Sequence, residues 1–394
     1  MAVESRYLVV GGGMTGDAAC KGIRSIDAEG TIVLVGEEEH APYARPPLSK
    51  KLWQGKDENT IWRRTDEHAV DLRLGRRIDS LDVDGRRATD DRGDTYSYKR
   101  LLLATGGRPR RFDTAAEGVI YFRTLDDYRR LREETAGGAR AVVVGGGFIG
   151  SEIAAALAST GSNVTLVFPD AAIGSRLFPA ELAQSLNEYY RAQRVEVLAR
   201  ETVSAVDGGD GGFLVTTGSG RTLEADVVVA GLGIEPRDEL AAAAGLPTGN
   251  GILVDDRGRV GGREDVFAAG DVAHFPAAVL GTELRIEHED HAKSHGKQVG
   301  ANMAGADQPY DHLPFFYSDL FELGYEAVGQ VDARLETLAE WREPNRKGLV
   351  SYLDGDRRPR GFLLWGIFDK VDAATELIRA GEPIDRSALR ELAG

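Results

Sequence analysis

The chain has 394 residues, 42% of them hydrophobic and 28% charged, an ordinary globular balance with room for two or three domains. Its formal net charge of −15, from 48 basic and 63 acidic residues, repels phosphate backbones and anionic lipid and so excludes nucleic acid as a natural partner. No apolar run reaches transmembrane length, and a single cysteine excludes an internal redox disulfide or a cysteine-ligated cluster.

The opening MAVESRYLVVGGG enters a strand directly, with no basic n-region or apolar h-region, which predicts a cytoplasmic protein or one whose address has been removed. Residues 6–16, RYLVVGGGMTG, read as a buried strand running into Gly11-x-Gly13-x-x-Gly16. The first glycine permits a tight turn, the second lets the backbone approach a pyrophosphate, and the third lets helix and strand pack closely. The helix N-terminus adds partial positive charge. Cys20, on that helix, is expected as a small buried hydrophobe. The next strand, TIVLVGE, ends at Glu37, 26 residues after Gly11, where an acid accepts ribose hydroxyls. LLLATGGRP, residues 101–109, is an apolar strand closing on Ala104-Thr105-Gly106-Gly107.

RAVVVGGGFIG, residues 140–150, repeats the fingerprint as Gly145-x-Gly147-x-x-Gly150, and NVTLVFPD ends at Asp170, 25 residues after Gly145. One GxGxxG is weak. Two, each with a preceding strand and an acid at matching spacing, imply two dinucleotides in one chain. The acid-rich Asp207–Gly212 reads as a solvated turn. DVFAAGDVAHF, residues 265–275, is a short strand closing on Gly270-Asp271, a carboxylate beside bare backbone that suits the ribityl and phosphate of FAD better than a second nicotinamide. RIEHEDHAKSH, residues 285–295, sets His288, His291 and His295 at i, i+3 and i+7, one face of a helix. That spacing alone leaves a metal site, a catalytic dyad and a polar helix open. From HLPFFYSDL onward the pattern alternates; VGQVD and KGLVSYLDGDRRPRGFLLWGIF read as antiparallel strands, with a closing helix near DAATELIRAG.

GxGxxG, ATGG, a second GxGxxG and GD, in that order, resemble the two-dinucleotide flavoprotein reductases. PYARPPLSKKLW (42–53) is similar to the flavin-side loop of ferredoxin reductases and apoptosis-inducing factors. RIEHEDHA (285–292), SDLFELGYEAVGQVD (318–332) and GFLLWGIFDKVDAATELIRAG (361–381) look like apoptosis-inducing factor in particular. The resemblance runs from about residue 5 to about residue 382. It implies an α/β fold with two Rossmann-like, glutathione-reductase-like dinucleotide-binding domains and a C-terminal α/β domain. The implied boundaries are 1–122 and 251–310 for a discontinuous FAD-binding domain, 123–250 for the NAD-binding domain and 311–394 for the C-terminal domain.

The same resemblance assigns roles. Arg45 faces the FAD phosphates, and Lys50 lies beside flavin N5, where a cation stabilises negative charge on the reduced ring. Its implied partner is Glu152, in GGGFIGSE; the competing readings are an exposed loop lysine and an acid favoured only by the helix dipole. Phe148 stacks on nicotinamide or flavin. Arg123 contacts FAD and Glu326 the nicotinamide amide, while Tyr317 stands where tryptophan is usual. Ile78 joins the FAD set with Thr105 and Gly106, and Ile149 and Gly233 join the NAD set. Asp170 favours NADH, with Arg176 nearby as a cation able to neutralise a 2′-phosphate. The helix after Gly270-Asp271 points its N-terminus at the flavin, with Glu287 and His288 at the tip. His291 and His295 are expected on its solvated face. No metal is expected, because Lys293 and Lys297 crowd that face and no cysteine completes a site.

The implied function is an FAD-dependent NADH oxidoreductase that passes hydride to flavin N5, gives a charge-transfer complex and hands electrons to a quinone, a small redox protein or, slowly, oxygen. A homodimer that assembles in response to NADH is implied too. The alternatives are a ferredoxin or rubredoxin reductase and an NADH-gated redox-sensing binding protein. Two departures from the animal apoptosis proteins stand out. The segment between Val331 and Leu349 is too short for their regulatory insertion, and the negative charge opposes DNA association; the apoptotic role is therefore not carried over.

Overall fold

The computed structural model describes residues 2–113, 116–209 and 211–393. The chain forms two compact units: Met1–Ala44, Glu58–Arg108 and Glu235–Phe315 make the first, and Arg45–Asp57, Pro109–Ile234 and Phe316–Gly394 the second.

In the first unit, five parallel strands lie in the order Val70–Arg73, Ile32–Val35, Ala2–Val10, Thr95–Leu103, Val266–Ala268. Ile32–Val35, flanked by a parallel strand on each side, is β-branched or leucine throughout (IVLV) and is buried throughout. The start of Thr95–Leu103 also carries an antiparallel extension through Arg87–Asp90 to Ile78–Asp82. The helix Met14–Arg24 follows the first strand, and Cys20 is fully buried on it, as expected.

A second helix, Glu289–Met303, packs on the first backbone to backbone. A Cβ on Gly22 would stand 2.0 Å from the Lys297 carbonyl oxygen, and one on Gly300 2.1 Å from that of Ala19. Only glycine fits at these crossing points.

The second unit holds a five-stranded all-parallel sheet in the order Glu196–Ala199, Asn163–Phe168, Arg140–Val144, Val227–Ala230, Ile120–Tyr121. Helix Phe148–Ser159 follows its central strand. A three-stranded antiparallel sheet, Val203–Gly209, Gly212–Thr217 and Thr222–Ala225, accompanies it. Within the acidic Asp207–Gly212 stretch, Asp207–Gly209 and Gly212 belong to these paired strands; Asp207 is solvent-exposed, as expected, and Asp210 lies outside the described residues. Another five-stranded sheet runs in the order Phe315–Leu320, Leu323–Gly329, Pro359–Trp365, Lys347–Leu353, Glu336–Glu343. Its last four strands pair antiparallel, as the alternation predicts. Helix Val371–Ala380 occupies the expected place, and a further helix, Arg386–Ala393, has no counterpart in the sequence reading.

The close helix crossing in the first unit generates a test. Gly300→Ala should destabilise that unit by about 1–3 kcal/mol, the usual cost of overpacking, read as a lowered urea midpoint. An unchanged midpoint would contradict the backbone contact.

Candidate functional site

In the first unit Gly11 has φ +127°, and a Cβ on Gly16 would lie 2.1 Å from the Gly11 carbonyl oxygen. Gly13, by contrast, would point its Cβ into open space with nothing within 4 Å, and no side chain caps the helix that begins after it. An uncapped N-terminus behind a clear approach is what a pyrophosphate needs. At the end of the neighbouring strand the half-exposed Glu37 is met by Arg237, with Arg77 at 3.9 Å. The Thr105-Gly106 turn holds the Arg237 backbone: Thr105 Oγ1 donates to the Arg237 carbonyl at 2.6 Å, and the Arg237 N–H to the Gly106 carbonyl at 2.9 Å. Ile78 is 5% exposed and packs in the hydrophobic core with Leu8, Val10 and Val35.

Gly270 has φ +74°, and a Cβ there would collide with Thr15 Oγ1 at 2.1 Å. The turn thus presses on the first turn of the fingerprint helix. Arg285 donates to the Asp271 carbonyl at 3.1 Å and pairs with Glu287 at 2.7 Å. His288 is the N-cap residue of helix Glu289–Met303, with extended backbone.

His291 and His295 are not on a solvated face. They are 1% and 0% exposed. Phe275 stacks on His291 at 4.8 Å between ring centroids, and Tyr310 covers His295 at 4.5 Å. Both coverers are distant in sequence, so helical spacing could not reveal them. Burial drives all three imidazoles toward the neutral form. His288 is pushed down to about 4 against the opposing pull of Asp271 and Asp290, and His295 to about 3. His291 falls well below the usual range, by burial first and then by the neighbouring His295, His288 and His312. Among the described residues no group of three His, Cys, Asp or Glu side chains is placed to hold a metal ion.

The second unit repeats the fingerprint geometry. Gly145 has φ +118°, a Cβ on Gly150 would lie 1.8 Å from the Gly145 carbonyl oxygen, and Gly147 faces open space before an uncapped helix. Asp170, at the end of the adjacent strand and partly exposed, pairs at 3.4 Å with Arg176, which is largely accessible. Gly233 has φ +82° and accepts from the Arg110 N–H at 3.0 Å. Ile149 is 37% exposed.

The segment Arg45–Asp57, from much earlier in the chain, joins this unit. Arg45 donates to the Arg123 carbonyl at 2.9 Å, and the Thr124–Asp127 capping box starts the next helix. Lys50 ends the 3-10 turn Pro46–Ser49, and its Nζ lies 2.7 Å from Glu152 Oε2. Glu152 is 4% exposed and accepts two further hydrogen bonds at 2.5 Å, from Ser49 to Oε2 and from Ser318 to Oε1. The Lys50 ammonium also sits 5.7 Å from the centroid of the Tyr317 ring, within cation–π reach. Phe148 meets Phe316 edge-on at 5.4 Å. Glu326 is raised by burial first and then by Asp369, and its Oε2 has no hydrogen-bond partner among the described residues.

Lys50 and Glu152, paired from the sequence by resemblance alone, are therefore brought together. Ser49, Ser318 and Arg237 were missed. Ser49 stood inside the quoted PYARPPLSKKLW and Ser318 inside SDLFELGYEAVGQVD, but nothing in either stretch marks a hydroxyl as a carboxylate donor. Arg237 carries no motif.

Residues 5–296 match the family described as pyridine nucleotide-disulphide oxidoreductase. The chain belongs to that family. Residues 299–347 match a second description, apoptosis-inducing factor, mitochondrion-associated, C-terminal. Among relatives of this oxidoreductase is apoptosis-inducing factor 1, mitochondrial, of Dictyostelium discoideum, 33% identical over 419 residues, which cover 95% of this chain and 78% of that protein. Another is the anthranilate 1,2-dioxygenase system ferredoxin–NAD(+) reductase component of Burkholderia cepacia, 33% identical and covering 98% of this chain and 97% of that one. The crystal structure of a covalent putidaredoxin reductase–putidaredoxin complex superposes with a TM-score of 0.91 at 28% identity, over 98% of this chain and 95% of that one. This member of the oxidoreductase family is an NAD(H)-dependent flavin enzyme of the apoptosis-inducing-factor and ferredoxin-reductase type, and its cofactors are FAD and NAD(H). The disulphide of the family name has no counterpart here, since the one cysteine is the buried Cys20. No helix among the described residues is long and apolar enough to cross a membrane.

The buried histidines set a pH dependence. Their folded pKa values lie below the unfolded value of about 6.5, so the unfolded chain binds protons first as pH falls. The stability they allow is complete above about 6.5 and is lost as pH drops toward the folded values, by about 1.4 kcal/mol per pH unit for each histidine. Urea midpoints of the first unit should fall from pH 6.5 to 5, and His295→Leu should flatten that slope. A pH-independent midpoint across this window would refute the buried neutral state.

Proposed function

We propose that the protein oxidises NADH through its FAD and delivers the electrons to a quinone or a small redox protein, with oxygen a slow acceptor. The observation that carries this reading is the buried Lys50–Glu152 pair, tied by Ser49 and Ser318 at the first turns of the second fingerprint helix. When bound, FAD supplies a two-electron acceptor for hydride. Lys50 offers a fixed cation where negative charge develops, and Glu152 holds that cation in one position. Phe148 and Tyr317 would flank the reacting rings, Glu326 would receive the nicotinamide amide, and Asp170 would accept the adenosine ribose hydroxyls. Gly11, Gly13, Gly16 and Glu37 hold the adenine end of FAD, Gly270-Asp271 its ribityl-phosphate chain, and Arg45 and Arg123 its phosphates. His288 and the helix behind it favour charge on the flavin.

A ferredoxin-type carrier as the acceptor is favoured by the near full-length similarity to the Burkholderia reductase component. An NADH-dependent homodimer is favoured by the match of residues 299–347 to the apoptosis-inducing-factor segment. One anaerobic stopped-flow series separates these readings. NADH should reduce the flavin faster than NADPH, because Asp170 repels a 2′-phosphate, and a long-wavelength charge-transfer band should follow. Reoxidation should be fast with a plant-type ferredoxin or a quinone and slow in air. Equal rates with both nucleotides would remove the role of Asp170. Slow reoxidation by every acceptor, with sedimentation that shifts on NADH, would replace the enzyme reading by the sensor.

The two open glycines give the sharpest assignment test. Both have extended backbone, Gly13 at φ −89° and Gly147 at φ −86°, so valine fits locally without strain. Gly13→Val should fold and lose FAD. Gly147→Val should keep FAD and lose reduction by NADH. The reverse pattern would exchange the two sites.

A further inference from the structure

The proposed function gives no task to His295, yet its imidazole is fully buried and makes one directed bond. The Gly270 N–H donates to His295 Nδ1 at 3.3 Å. That bond requires a neutral ring with its proton on Nε2. Nε2 is itself buried and has no partner among the described residues. A leucine would fill similar volume without burying an unpaired N–H, so on packing grounds the imidazole is the poorer choice. What it supplies, and leucine does not, is an acceptor aimed at Gly270.

Gly270 needs one. It opens the three-residue 3-10 turn Gly270–Val272, and the first N–H of so short a turn has no partner inside it. Its left-handed φ of +74° and the contact with Thr15 on the other side leave the turn a single seat between two helices. His295 is itself immobilised. Phe275, His291 and Tyr310 enclose its ring at centroid distances of 5.2, 4.8 and 4.5 Å. Tyr310 is pinned in turn by His291 Nδ1 at 3.1 Å and by Ser294 Oγ at 2.8 Å.

We infer that His295 is a positioning residue for FAD: by taking the Gly270 N–H it fixes the Gly270–Asp271 turn in the shape that receives the ribityl-phosphate chain. Tyr310 and His291 are the frame that keeps its acceptor aimed. The inference rests on the assignment of FAD to the first unit under the proposed function.

The test compares His295→Leu, His295→Asn and Gly13→Val with the parent protein. FAD is titrated into the deflavinated proteins, and the thermal midpoints of the FAD-free forms are recorded. His295→Leu should weaken FAD binding about tenfold, the worth of one directed hydrogen bond, without lowering the FAD-free midpoint. His295→Asn places an acceptor close to the position of Nδ1 and should recover most of that loss. Parent-like FAD binding by His295→Leu, or no recovery in His295→Asn, overturns the inference. So does a loss of affinity matched by an equal loss of FAD-free stability, which would mark ordinary packing. Gly13→Val separates the two levels. If it loses FAD while His295→Leu does not, only the role of His295 fails; if it binds FAD normally, the assignment of FAD to the first unit fails with it.

Discussion

At both fingerprints the backbone passes too close to itself for any side chain. A Cβ on Gly16 or Gly150 would lie 2.1 or 1.8 Å from the carbonyl oxygen of Gly11 or Gly145. That contact sets the angle at which each helix leaves its strand, and so aims the first-turn N–H groups past the sheet end. Other groups take their places from it. The end of strand Val227–Ala230 brings Gly231 against Gly150, where a Cβ would stand 2.8 Å from the Gly150 nitrogen. In the first unit the Gly270 turn closes on Thr15 in the same manner. Glu152, one turn into its helix, inherits a fixed direction from a glycine two residues earlier.

The molecule buries polar groups in two contrasting ways. Glu152 is surrounded by donors, so its charge is compensated on the spot, and removing any one donor leaves part of a buried charge unmet. Nearby, burial and then the Glu152 charge push the Tyr325 and Tyr190 hydroxyls up, which keeps them protonated around the carboxylate. The histidine cluster does the opposite. It has aromatic walls and few partners, and the imidazoles enter it by giving up their charge. A charged lining suits a place where electrons arrive, and a neutral one suits a brace.

Much of this was legible in the sequence wherever the cause was local. The glycine spacings and the alternating C-terminal strands depend on neighbours within a few residues, and the strand-end acids on a fixed spacing of 26 and 25 residues from Gly11 and Gly145. The helix carrying His288, His291 and His295 was legible as a helix, but its environment was not. Phe275 and Tyr310 come from either side in sequence, and no periodicity says that they close over the face that the resemblance led us to expect in solvent. Ser49 and Ser318 reach Glu152 across 103 and 166 residues of chain. Serines are common and carry no signature as carboxylate donors, so only the fold identifies them. Arg237 meets Glu37 across 200 residues for the same reason.

The threading of the two units bears on how the protein is made. Six segments alternate between them, the chain re-entering the first unit for the last time at Glu235 and the second at Phe316. On the ribosome, therefore, neither unit can finish early. The first must wait for strand Val266–Ala268 and helix Glu289–Met303, by which time most of the second has already emerged. The usual order, in which an N-terminal domain folds while the rest is still being synthesised, is closed to the first unit: its sheet lacks a strand until after all five strands of the parallel sheet in the second, from Ile120–Tyr121 to Val227–Ala230, have been made.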